Sequence, residues 1–179
     1  DDQAFLDAML QFADADQCVD HTHVFMAGFS MGGYFANETG CLRPDIRGIA
    51  PHLGGAPDLS ACASVHKPTL IMHFQGDALI PYMCGTQARD RWVARNGCSA
   101  DAPTVMTVQG GSCEFYKGCP SDGQVAMCTF MIPDGTRSEA YAGHAWSGGS
   151  KDGMGASYAI PETASATQLS WNFFTTYAW

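Results

Sequence analysis

Val24-Phe-Met-Ala-Gly-Phe-Ser-Met-Gly-Gly33 is a short apolar run that passes through small residues into what reads as the start of a helix. Within it, Gly28-Phe29-Ser30-Met31-Gly32 has the form G-x-S-x-G. That pattern suits a strained strand-to-helix turn that lifts a serine hydroxyl clear of the backbone. Glycines on both sides of the serine are expected because side chains there would collide with the neighbouring strand and helix. In a chain with 20 glycines the pattern also arises by chance, so its meaning depends on its surroundings.

Working outward, residues 3 to about 15 place Phe5, Leu6, Met9, Leu10, Phe12 and Ala13 at helical spacing, one apolar stripe opposite acids. Such a helix has to lie on something. Val24 to Ala27 reads as a buried strand, and the helix after Ser30 runs to a C-cap at Gly40. Strands are expected at about 47–51 and at Pro68–Phe74, with a helix over about 86–95 stopped by Asn96-Gly97. Three further strands, 105–108, 113–116 and 124–132, include a hairpin between about Cys113 and Cys128, and a last helix spans about 163–177. Strands alternating with helices predict one α/β domain over 1–179, a mostly parallel sheet with helices on both faces.

The composition narrows the function classes. With 9 Lys+Arg against 18 Asp+Glu, the net charge of -9 repels phosphate backbones, so no nucleic-acid partner is expected. No apolar run approaches the ~18 residues of a membrane span. The opening Asp1-Asp2, with no leader or initiator methionine, reads as a processed or fragmentary chain. Eight cysteines (Cys18, Cys41, Cys62, Cys84, Cys98, Cys113, Cys119 and Cys128) without metal-knuckle spacing point to disulfides and to a secreted or otherwise extracytoplasmic location.

In open parallel sheets, ligands collect beyond the carboxyl ends of the strands. Three polar residues fall there: Ser30 after VFMAGF, Asp77 after TLIMHFQG, and His144 in a glycine loop. Their order, Ser, Asp, His, is that of the α/β-hydrolase triad. A serine hydroxyl needs a base to become a nucleophile near neutral pH, and imidazole takes and returns a proton there. Ser30 is therefore the expected nucleophile, His144 the base and Asp77 the group that orients it. The Met31 backbone N–H is the expected oxyanion donor, and Phe29 and Trp146 the expected substrate walls. Other residues read more plainly: His73 as a core histidine, His21 and His23 as a solvated turn, and Asp58, Asp134 and Asp152 as loop acids. No metal or organic cofactor is expected.

GFSMGG, GDALIPY, RWVARNGCS and GHAWSGG, in that order, resemble the secreted esterases grouped with polyhydroxybutyrate depolymerases and feruloyl or acetylxylan esterases. The resemblance implies an α/β-hydrolase fold and a serine esterase acting on hydroxycinnamoyl or acetyl esters of plant polysaccharide, or on polyhydroxyalkanoate. It also suggests Cys98 paired with Cys119 and Cys113 with Cys128, leaving Cys18 with Cys41 and Cys62 with Cys84. Two positions depart from the group's motifs: Phe74 replaces a glycine after His73, and Ser147 replaces a proline after Trp146.

The group's members carry strands and an oxyanion loop before the helix that opens this sequence. The N-terminal strands of the fold are accordingly expected to be absent from this chain, with a second chain or a swapped copy completing the sheet. The rival expectation is a non-catalytic hydrolase-fold protein that binds an ester polymer or a partner chain.

Overall fold

The computed structural model describes residues 2–62, 66–132, 143–150, 152 and 158–179. Its main sheet has the order β1-β2-β3-β6-β5-β4. Strands β1 (Phe25–Phe29), β2 (Gly48–His52), β3 (Thr69–Phe74) and β6 (Val125–Phe130) run parallel. β5 (Gly111–Lys117) and β4 (Ser99–Val108) continue the sheet antiparallel. A short parallel pair, β7 (Trp146–Ser147) with β8 (Ala159–Ile160), lies apart. The sheet is thus mostly parallel with an antiparallel extension, and the expected hairpin is present with Cys113 opposite Cys128.

Alternation along the strands divides the core in two. On β3, Leu70, Met72 and Phe74 face a cluster closed by Phe173, Phe174 and Ala178, at and just beyond the end of helix α4 (Ala166–Tyr177). Ile71 faces the other side, with Trp92 and Val93 of α3 (Tyr82–Arg95) and Cys41 of α2 (Met31–Leu42). Every residue of β2 and β3 is buried, which explains why both are apolar apart from Thr69 and the histidines His52 and His73. Each such side chain of Leu, Ile, Met or Phe size contributes roughly 1.5–3 kcal/mol. The helices are held by this burial more than by their own propensity.

Two helix starts differ from expectation. α3 begins at Tyr82, because Pro81 stands at its N-cap with φ -54 and admits the chain directly to a helix. α4 begins at Ala166, where Ser165 accepts the Gln168 N–H; Thr163 is instead held by hydrogen bonds to Ile160 and Ser147. The first helix, α1 (Asp2–Asp16), has no buried residue. It is tied to α2 through Gln3 to Thr39 and to the following loop through Asp7 to Arg43, while Phe5, Met9 and Phe12 stay exposed.

Disulfides join Cys98 to Cys119 and Cys113 to Cys128, as the resemblance suggested. The other suggested pairs are corrected. Cys41 is bonded to Cys62, because the last turn of α2 and the 3₁₀ turn Leu59–Ala61 pack together and bring the two Cα atoms to 4.7 Å. Cys18, exposed just past α1, and Cys84, in the first turn of α3, are free thiols.

Candidate active site

Ser30 stands between β1 and α2 with φ 57 and ψ -119, a backbone conformation that L residues rarely adopt. Hydrogen bonds fix the turn on both sides: the Ser30 N–H donates to the His52 carbonyl (3.0 Å), and the Ser30 carbonyl accepts from Gly33 (2.9 Å) and Tyr34 (3.1 Å). The need for glycine is placed differently from the motif. A Cβ at Gly28 would lie 1.9 Å from the Gly32 carbonyl oxygen, and one at Gly33 would lie 2.7 Å from that of His52. A Cβ at Gly32 would meet nothing within 4 Å, so the collision expected there does not occur.

Asp77 follows β3, and its Oδ1 accepts the N–H groups of Leu79 (2.8 Å) and Ile80 (3.0 Å), an Asx-type turn that orients the carboxylate. His144 follows Gly143, whose φ of 76 lets the chain pass close to the Gly76 carbonyl and the Asp77 N–H. The two side chains meet inside the protein, with 4% and 0% of their surfaces exposed. His144 Nδ1 is 3.0 Å from Asp77 Oδ2 and 3.2 Å from Oδ1, and His144 Nε2 is 2.9 Å from Ser30 Oγ. A carboxylate only accepts, so Nδ1 carries the proton and Nε2 is left to accept from the serine hydroxyl. The three residues, separated by 114 positions of chain, therefore form one continuous hydrogen-bonded line.

Met31 is the first residue of α2, so its N–H belongs to the helix end whose donors have no intrahelical acceptor. The Phe29 ring lies 5.0 Å from that of His144 and 6.3 Å from those of Trp146 and Tyr158. Trp146 packs into the core and also walls an apolar cleft of about 200 Å³ with Ala27, Trp171 and Phe174. Its N–H donates to Thr167 Oγ1 at 3.2 Å.

Residues read as secondary fall as follows. His73 is buried, with Nδ1 3.0 Å from the Phe74 carbonyl, and burial lowers its pKa. His21 and His23 pair with Asp14 and Asp20 on the surface. Asp58 caps the 3₁₀ turn through the Ser60 N–H, and Asp152 bonds Ser150. Asp134 lies outside the described residues.

Two residues near the site were not singled out from the sequence, His52 beneath the serine turn and Tyr158 beside Phe29, and the role of Ser147 was not foreseen. Ser147, in place of the group's proline, is buried and donates to the Ala164 carbonyl (2.6 Å), tying the His144 segment to the approach to α4. A serine among glycines gave no local sign of this.

A mostly parallel sheet with helices on both faces and a serine on the β1–α2 turn is the α/β-hydrolase arrangement. Within that class, the chain is similar in sequence to feruloyl esterases. It is 34% identical over 124 residues to feruloyl esterase D of Neurospora crassa, covering 66% of this chain and 42% of that protein. It is 30% identical over 124 residues to feruloyl esterase C of Emericella nidulans, covering 66% and 45%. The chain therefore spans less than half the length of these relatives. Among solved structures, the acetyl xylan esterase from Aspergillus awamori superposes with a TM-score of 0.57 at 13% identity, over 70% of this chain and 60% of that one, a likeness of fold. No protein-family model matches the chain.

Proposed function

We propose that the chain carries the catalytic half of an exported serine esterase that hydrolyses carboxylic esters through an acyl-enzyme. The observation behind this reading is the Asp77–His144–Ser30 line, with hydrogen bonds of 3.0 and 2.9 Å ending on a serine held in the turn. Ser30 Oγ attacks the ester carbonyl while His144 Nε2 takes its proton; the imidazolium returns the proton to the departing alcohol. Water then attacks the acyl-serine with His144 again as base, releasing the acid. Asp77 stabilises the imidazolium, and the Met31 N–H faces the oxyanion. Phe29 and Trp146 wall the acyl group, and its class is a hydroxycinnamoyl or acetyl ester of plant polysaccharide, or a polyhydroxyalkanoate. The feruloyl esterase relatives favour the first. Three disulfides support export.

One observation favours a second reading, binding of an ester polymer or a partner without turnover. β1 is the edge of the sheet, and only one oxyanion donor is assigned. Losing one such donor typically costs about 2.7–4 kcal/mol of barrier.

Hydrolysis of methyl ferulate and p-nitrophenyl acetate, with Ser30→Ala beside the parent, separates the two. The esterase reading expects a loss of roughly 10⁴- to 10⁶-fold in kcat and labelling of Ser30 by a fluorophosphonate in the parent alone. Hydrolysis that survives Ser30→Ala sinks the mechanism, and a folded parent that neither turns over nor labels supports binding.

A further inference from the structure

His52 closes β2 with its ring wholly buried, and neither ring nitrogen has a hydrogen-bond partner among the described residues. A neutral imidazole still carries one N–H, and leaving a buried donor unmet costs about 1–3 kcal/mol. The ring's surroundings are aromatic. Trp146 lies 5.0 Å away and Phe130 6.3 Å away, each at 79°, with Phe29 and Phe74 tilted at 6.0 and 6.1 Å. Perpendicular rings at such a separation are arranged for the edge of one to meet the π-face of the other. The Trp146 N–H already donates to Thr167, which leaves its indole face to accept.

We propose that His52 is a positioning residue whose ring N–H donates to the indole face of Trp146. The same residue's backbone carbonyl receives the Ser30 N–H at 3.0 Å and is approached closely by Gly33. One residue therefore ties the nucleophile's turn by its backbone to the aromatic wall by its side chain, and sets the spacing between them. Its effect falls on bulky acyl groups, which reach the wall, and spares acetyl groups, which do not. The proposal rests on the reading of Trp146 as a wall of the ester site.

The test has two arms. In the imidazole ¹⁵N–¹H spectrum at neutral pH, the parent shows one slowly exchanging N–H shifted upfield by the indole ring current and absent from His52→Phe. An N–H in the downfield range of oxygen-bonded imidazoles overturns the contact. In kinetics, His52→Phe raises KM for methyl ferulate about tenfold, the equivalent of roughly 1.4 kcal/mol, while kcat for p-nitrophenyl acetate stays within about twofold. Equal loss of kcat on both esters overturns the positioning role. Should His52→Phe not fold, His52→Gln serves for the assignment and the kinetics. A parent that hydrolyses neither ester defeats the ester reading, and the N–H resonance still decides the contact.

Discussion

At Ser30 the chain holds a positive φ in a residue that has a Cβ, a conformation that costs on the order of 1–3 kcal/mol and persists only when neighbours over-determine it. Three backbone hydrogen bonds and two glycines do so here. The glycines are unequal, which the five-residue motif conceals. Gly28→Ala drives a Cβ to 1.9 Å from the Gly32 carbonyl oxygen, so it is expected to destabilise by about 3 kcal/mol or more and to abolish the turn. Gly32→Ala places its Cβ in open space on a helix, where alanine exceeds glycine in propensity by about 0.8–1 kcal/mol, and it is expected to fold at least as stably as the parent. Urea unfolding of the two variants checks this, and equal destabilisation would mean that the motif's two glycines serve the same purpose after all.

At the scale of strands and helices, most of what positions the site was legible in the sequence. β3 announced itself as a largely apolar run, and residues just beyond strand ends carry Ser30 and Asp77. What was not legible depends on packing across elements. Cys41 pairs with Cys62 because α2 and a 3₁₀ turn share one cluster, a contact no spacing encodes. His52 was overlooked because a histidine ending an apolar strand has no local mark of its neighbours. Those neighbours give β2 and β3 a pH dependence. Burial first, then the imidazoles of His73 and His144, push the pKa of His52 down from 6.5 to about 3, and burial lowers that of His73 as well. The unfolded chain therefore takes up protons before the folded one does. Stability from His52 is full well above pH 6.5 and is lost as pH falls toward 3, by up to about 1.4 kcal/mol per unit, and burial of His73 adds a loss of the same sign. For His52 alone, unfolding at pH 4.5 is expected to be easier than at pH 6.5 by about 2 kcal/mol. Urea titrations at the two pH values measure it, and His52→Phe should flatten the difference by about that amount.

Across the whole molecule, β1 forms one edge of the main sheet. Residues alternate along that strand, so Met26 and Ala27 point to opposite faces. Each face carries an apolar cleft. One, of about 360 Å³, is lined by Met26, Met31 and Phe35 together with Phe5 and Met9 of α1; the other, of about 200 Å³, joins Ala27 to Trp146 and Trp171. An edge flanked on both sides by apolar grooves fits one shape, an extended strand that pairs with β1 and sends alternate side chains into each groove. Such a strand would also cover the exposed stripe of α1 and bring backbone N–H groups near Met31, where a second oxyanion donor belongs. We propose that this 179-residue chain, expressed by itself, meets the need with a second copy, edge to edge. Sedimentation velocity is then expected to show species heavier than 19.1 kDa that grow with concentration, and Ala27→Lys, which sets a charge in one groove beside the edge, to return the monomer. Esterase activity should follow the associated fraction, since the monomer has one assigned donor in place of two. A monomer with full activity at every concentration would instead require the second donor to lie within the chain, on a backbone N–H within about 3 Å of the oxyanion position beside Met31.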